Sequence, residues 1–365
     1  MKVVIFGLSV SSCWGNGHAT LWRGLIRALV HSGHNVVFFE RDVPYYASHR
    51  DYEAPAGMEL HLYSHWSEVV SLAKENLRDC DSAIITSYCP DSLMASDLMF
   101  GMDLSSRIFY DMDTPVTLGC IERGGWPEYL MPQGLGEFDM VMSYTGGRSL
   151  VQLKEVLGAK NVCTLYGSVD PEIHHPVKIT ANDKADLSYL GTYAKDRHRG
   201  FEQLFLKVSQ QFPRGRFLVA GAQYPADINW GRNIEFKQHI DVKQHSTFYN
   251  SAHFTLNLTR SDMAQCGYCP SARLFEAGAC GVALISDIWE GIDHFFEPYS
   301  EILLASDTED MLNFLQMDRA QSQKIAKRAR ERVMSEHTAS HRAKQLEEII
   351  EGTVSNNRRE SLCGG

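Results

Sequence analysis

The sequence predicts an α/β protein built from two Rossmann-like domains that face each other across a cleft. Three observations predict this. Short apolar runs alternate with amphipathic stretches, the rhythm of parallel strands covered by helices. The rhythm breaks once, near residue 175, and restarts. Each half opens on a strand followed by a glycine-containing turn. A length of 365 residues suits two domains at roughly 150 residues each.

In order, residues 2–8 read as a strand. Gly15-Asn16-Gly17-His18 forms a turn, and Leu21, Trp22, Leu25, Ile26, Leu29 and Val30 follow at helical spacing. Gly33 stops that helix, and 35–40 is a second strand. Further strands are expected at 82–86, 107–110, 140–143 and 162–165, with helices around 69–77 and 149–157. The proline-rich 171–176 and the polar 180–186 mark a domain boundary. The second half has strands at 187–191, 217–220, 234–236, 254–258, 282–286 and 302–305, and helices at 201–211, 246–251 and 271–280. A charged helical segment over 311–351 is expected to cross back onto the first domain. Residues 352–365 read as a disordered tail. The expected domains are therefore 1–172, 185–310 and the 311–351 extension.

Composition narrows function. Forty-five acidic against 35 basic residues give a formal charge of -10. Nucleic acid and anionic membranes want a basic face, so neither is expected as a partner. A local basic pocket for a small anion remains compatible. Nine scattered cysteines cannot all pair within one chain, and several lie in apolar runs. The expected compartment is the reducing cytoplasm. The first apolar run is short and flows into a turn and helix, so it reads as a strand rather than a signal peptide, and no run has the length of a membrane span.

Four places carry chemistry. The first is the Gly15–Gly17 turn with His18. Gly17 and the free helix amides suit a bound anionic group, and His18 is a candidate general base or else a structural cap. The run is not G-x-G-x-x-G, although Glu40 ends the second strand where a dinucleotide enzyme carries its ribose acid. The second is Asp111-Met112-Asp113-Thr114-Pro115, at a strand end. Its carboxylates are placed to orient a histidine such as His18, to bind a divalent cation, or to cap a helix; no further ligand cluster is apparent, and no metal is expected. The third is the turn from Gly191 to Gly200, where Thr192, Lys195 and Arg197 lie in a run of cations. It suits a diphosphate, or starts a solvated helix. The fourth is Ser271-Ala272-Arg273-Leu274-Phe275-Glu276, a helix capped at Ser271. Glu276 is placed to accept both ribose hydroxyls and Ser271 to meet the diphosphate; the alternative is a surface Arg273–Glu276 pair. Glu290, after a later strand, either touches a donor group or lies in a plain loop. Cys266-Gly267-Tyr268-Cys269 lacks a second pair for zinc and reads as structural. Trp66, Trp126 and Tyr129 stack on an acceptor or simply pack, and acceptor recognition is expected in 45–65 and 119–136.

Four stretches, 15–20, 110–116, 187–200 and above all 270–281 with 289–293, resemble the GT-B nucleotide-sugar glycosyltransferases. The likeness is greatest to the bacterial CgeB-like (spore maturation protein) group with a glycosyltransferase family 1-type C-terminal domain, and it runs from the first strand to about residue 343. It implies a nucleoside-diphosphate sugar of UDP or TDP type as co-substrate, no further cofactor, and a small-molecule or glycan acceptor. It places Glu276 on the ribose, Ser271 and Arg273 beside the diphosphate, and Lys195 and Arg197 near the phosphate-binding cations. Retaining relatives often carry a second Glu eight residues before the ribose Glu. That position is Tyr268 here. His18 with Asp111 or Asp113 looks like the His–Asp base of inverting relatives, so inversion without a metal is expected. Rival readings are an NAD(P)- or flavin-dependent oxidoreductase, an epimerase, and a non-catalytic sugar-nucleotide-binding protein.

Overall fold

The computed structural model describes residues 1–180 and 184–363, and of residues 360–363 the backbone alone. The chain forms two compact units, residues 1–167 with 339–365 and residues 168–338. In the first, the order is β1 (Lys2–Gly7), α1 (Gly17–His31), β2 (Asn35–Arg41), α2 (Pro44–Ala47), β3 (Met58–Tyr63), α3 (Trp66–Arg78), β4 (Ser82–Thr86), α4 (Ser92–Phe100), β5 (Arg107–Asp111), α5 (Thr114–Glu122), β6 (Met140–Ser143), α6 (Arg148–Leu157) and β7 (Val162–Thr164). The second contains β8 (Ala185–Leu190), α7 (His198–Phe201), α8 (Lys207–Gln211), β9 (Phe217–Ala220), β10 (Ile234–Lys237), α9 (His245–Asn250), β11 (Ala252–Asn257), α10 (Ser261–Cys266), α11 (Ala272–Ala279), β12 (Ala283–Ser286), β13 (Leu303–Leu304), α12 (Thr308–Leu315) and α13 (Arg319–Glu336). The final helix α14 (Ala339–Cys363) returns to the first unit.

Unit 1 has a seven-stranded sheet in the order β3-β2-β1-β4-β5-β6-β7, with every pairing parallel. Its central strands are apolar on both faces, as in β1 (Val3, Val4, Ile5, Phe6) and β4 (Ala83, Ile84, Ile85), all fully buried. That is the signature of a parallel sheet with helices on both sides. The core on one face gathers Phe6, Phe39, Phe109, Phe138 and Leu153. Unit 2 has six parallel strands in the order β10-β9-β8-β11-β12-β13, with Phe205, Phe217, Phe254 and Ile285 in its core. In each sheet the strand order reverses at a central pair, β1/β4 and β8/β11. Ligands of open α/β sheets bind beyond the carboxyl ends of strands at such a switch point.

The structure differs from the sequence reading in several places. Strand β3 and helices α4, α5 and α10 were not expected. The division between the units falls at Gly167/Ser168 and at Thr338/Ala339 in the sequence, so the segment expected over 311–351 is divided. Helices α12 and α13 belong to unit 2, with α13 against α11 and β12, and α14 packs on α1. The expected tail from 352 continues α14 as helix through Cys363. Part of the boundary expected at 180–186, residues 181–183, lies outside the described residues. No helix among the described residues is long and apolar enough to cross a membrane.

Candidate functional site

In unit 1 the functional side chains rise from the carboxyl ends of β1, β4 and β5. Asn16 caps α1, accepting the His18 N–H on Oδ1 at 3.0 Å. This sets His18 in the first turn, 9% exposed. Gly17 opens the helix, and a Cβ there would meet nothing within 4 Å. The loop before α1 is clamped from below by Glu40. Its carboxylate accepts from Ser9 Oγ (2.8 Å), Val10 N (2.7 Å), Ser11 N (2.9 Å) and Ser11 Oγ (2.6 Å). Glu40 is 1% exposed and has no oxygen to spare for a ribose diol, which counts against the dinucleotide reading.

His18 Nε2 lies 2.7 Å from Asp113 Oδ2. Ser87 Oγ, at the end of β4, donates to the same oxygen at 2.9 Å and accepts the Met112 N–H at 3.0 Å. His18 Nδ1 is buried and makes no hydrogen bond among the described residues. Of the two carboxylates it is thus Asp113 that meets His18. Asp113 stands at the N-cap of α5 without capping it through its side chain. Asp111 sits one layer deeper, fully buried. Its Oδ1 accepts from Asp113 N at 3.1 Å and Thr117 Oγ1 at 3.0 Å. Burial first, then the neighbouring Asp113 charge, pushes the Asp111 carboxyl up to about 7. Thr117 Oγ1 also lies 2.7 Å from the Tyr129 hydroxyl. Tyr129 is therefore a buried part of this network, whereas Trp126 is 43% exposed and donates Nε1 to Leu130 O at 3.2 Å. Tyr88, unmarked in the sequence reading, adopts a φ of 58°. Its ring packs edge-on to His18 at 6.3 Å and lies 5.0 Å from that of Tyr129.

In unit 2 the turn after β8 and helix α11 meet. Arg273 Nη1 donates to Leu190 O at 2.7 Å and Nε to Ser271 Oγ at 3.1 Å. Ser271 occupies the N-cap of α11, but its hydroxyl makes no cap hydrogen bond. Gly191 leaves room for the guanidinium, because a Cβ there would overlap Nη1. Arg197 is buried. Its Nη2 donates to Thr192 O at 2.6 Å, and its Nε has no partner among the described residues. Burial, then repulsion from Arg273, lowers its pKa. Two guanidinium groups close enough to perturb each other in a buried setting are relieved by an anion. Lys195 is exposed beside them.

Glu276 is buried and Arg273 half-buried on one turn of α11, and they are not a surface pair. Glu276 Oε2 accepts from the Tyr249 hydroxyl at 2.9 Å and lies 3.9 Å from both His174 Nε2 and His245 Nδ1. Burial raises the Glu276 pKa, but His174, His245, Tyr249 and Arg273 together bring it below the ordinary carboxylate value. Glu290 is exposed, and its backbone carbonyl accepts Tyr268 N at 2.7 Å. Cys266 is half-buried at the end of α10, and Cys269 is buried in the segment before α11. His174, His245 and Tyr249 escaped the sequence reading, because their residues read as boundary and short helix with no motif to mark them.

Residues 197–348 match the family of glycosyl transferase-like proteins, so this part of the chain carries a glycosyl transferase-like domain. No curated protein matches the sequence. Among solved structures, sucrose-phosphate synthase from Thermosynechococcus elongatus is similar at 16% identity, with 98% of this chain and 100% of that one covered and a TM-score of 0.71. An alpha-glucosyltransferase in complex with UDP-glucose and DNA containing an abasic site is similar at 14% identity, 96% and 99% coverage and a TM-score of 0.70. HepE of Anabaena in complex with UDP and glucose is similar at 10% identity, 96% and 100% coverage and a TM-score of 0.66. The two parallel sheets of seven and six strands are the GT-B fold.

Proposed function

We propose that the protein transfers a sugar from a nucleoside-diphosphate sugar to an acceptor hydroxyl. The observation that carries this reading is the buried α11 helix, where a charged Glu276 and Arg273 stand one turn apart inside the glycosyl transferase-like domain. Glu276 accepts the ribose hydroxyls. Arg273, Arg197 and Ser271, with the amides at the start of α11, take the diphosphate, and Lys195 adds charge at the rim. Thr192, Gly17 and Glu290 are assigned to the donor as well. UDP or TDP is the nucleotide, UDP being favoured by the neighbours solved with UDP or UDP-glucose. Protein cations offset the leaving-group charge, so the transfer needs no metal.

His18 is the base. The imidazole takes the acceptor proton, and Asp113, hydrogen-bonded to Nε2, stabilises the imidazolium that forms. The acceptor oxygen bonds to the anomeric carbon as the bond to the diphosphate breaks, and configuration inverts. Tyr268, where retaining relatives often have a Glu, supports this choice. Tyr129 and Trp126 flank the acceptor, a small molecule or glycan in keeping with the acidic chain.

Thermal-shift measurements with UDP, TDP, their sugars and NAD test the donor. A native-state ligand raises the melting point as its concentration exceeds Kd, so a UDP or TDP sugar should do so and Arg273→Ala should abolish it. A shift with NAD alone would favour the oxidoreductase. In a transfer assay unaffected by EDTA, the product anomer should be inverted, and His18→Ala should lower kcat by about 10²–10⁴-fold.

A further inference from the structure

We propose that His174, His245 and Glu276 form a binding site for a divalent transition-metal ion, with Zn2+ as the fitting ion. The sequence reading expected no metal, because these residues are 71 and 31 positions apart and belong to no ligand motif. The fold brings them together. His174 Nε2 and His245 Nδ1 each lie 3.9 Å from Glu276 Oε2, and all three donor atoms lie within 4.8 Å of one another. Tetrahedral zinc holds such donors at about 2.0–2.2 Å, hence about 3.4 Å apart, so modest ring rotations close the site. Two imidazoles and a carboxylate, with a fourth position left for water, are a zinc donor set.

A second observation points to a ligand. His174 is 2% exposed, yet neither of its ring nitrogens has a hydrogen-bond partner among the described residues, and neither does His245 Nδ1. Buried polar atoms are almost always satisfied, and one left bare calls for a water or an ion. Of these three nitrogens, His174 Nε2 and His245 Nδ1 both face one carboxylate oxygen, and two lone pairs turned toward a carboxylate suit a cation better than a single water. The surroundings are built to hold the ligands. Ser246 Oγ donates to Ile173 O at 2.8 Å and accepts His175 N at 3.2 Å, fastening the two histidine-bearing segments together. The Tyr249 hydroxyl orients the Glu276 carboxylate from behind.

The ion lies on Glu276 and not on the Arg197–Arg273 pair, so it is no part of the transfer chemistry proposed above. Where that reading holds, metal and donor ribose compete for one carboxylate, and Zn2+ inhibits competitively with the donor. The binding itself does not depend on that reading.

The test is titration of the EDTA-treated full chain with Zn2+ by calorimetry, and with Co2+ by absorbance. The expected result is one ion per chain at this site, with Co2+ bands of nitrogen and oxygen ligation. Binding should be lost in His174→Gln and Glu276→Gln and weakened about 10-fold in Tyr249→Phe, but kept in Cys266→Ser/Cys269→Ser. Circular dichroism confirms that each variant is folded. Absence of binding, or binding that survives His174→Gln and vanishes with the cysteines, overturns the site. Donor binding measured by thermal shift is a separate readout, so failure here leaves the transferase reading standing, and the reverse.

Discussion

Asp111 and Asp113 are two residues apart and do different work. Asp113 meets His18 and Ser87 at the surface of the network, while Asp111 lies fully buried beneath with its pKa pushed up to about 7. A carboxyl whose pKa is raised in the folded state costs the fold stability wherever the unfolded chain has ionised it and the folded chain has not. Its stabilising contribution is complete below the unfolded value of about 3.9, falls as pH rises toward 7, and is absent above, a span of roughly 4 kcal/mol. Asp111→Asn keeps the Oδ1 acceptor for Asp113 N and Thr117 while removing the titration. Relative to the parent, this variant should gain melting temperature between pH 5 and pH 8 and keep most of its kcat. Asp113→Asn should instead lower kcat by about 10²–10⁴-fold with little change in stability, since an amide cannot stabilise the imidazolium. Equal losses in kcat would show that both carboxylates serve His18. The Asp-Met-Asp spacing placed the pair at a strand end but offered no way to rank them. The deciding partners, Ser87 and Thr117, come from the end of another strand and the following helix.

The elements that were legible are those whose patterns match their surroundings. Strands β1 and β4 read as unbroken apolar runs because both faces are covered, and α1 carries a clear apolar stripe. Helices α4 (SLMASDLMF) and α5 (TPVTLGCIE) are apolar nearly all round and show no stripe. Strand β3, at the sheet edge, mixes Glu59 and His61 into its run and reads as loop. The β1–α1 turn shows how a recognised element can hide its support. Glu40 looked like a ribose acid by position, yet it closes the loop that carries His18. Four donors converge on it, two of them backbone amides. Glu40→Ala would strand them in a buried site at a cost of about 3 kcal/mol or more. Glu40→Gln should cost far less, because its oxygen can serve the amides while the Ser9 and Ser11 hydroxyls turn to accept its NH₂. Denaturant unfolding of the two variants measures this difference, and equal destabilisation would contradict the clamp.

At the scale of the whole molecule, two domains were legible from the doubled rhythm of strands, but the fate of the C-terminal helices was not. Helices α13 and α14 are both long and highly charged, and what separates them is tertiary. Ala329 and Val333 of α13 are buried within unit 2, while Ala343, Leu346 and Ile350 of α14 are buried within unit 1. Arg342 Nε donates to Tyr166 O at 3.1 Å and Gln345 Nε2 to Thr164 O at 2.8 Å, tying α14 to the end of β7. Unit 1 is thus completed only by the last part of the chain, and α14 covers α1, the helix whose first turn bears His18. Leu346 is fully buried, and removing its side chain should cost about 2–5 kcal/mol. Because each unit has its own core, that loss should stay local. Hydrogen exchange of Leu346→Ala should show amides of β1, β4 and α1 losing protection, while those of β8, β11 and β12 keep theirs. A uniform loss across both sheets would mean that the units unfold as one.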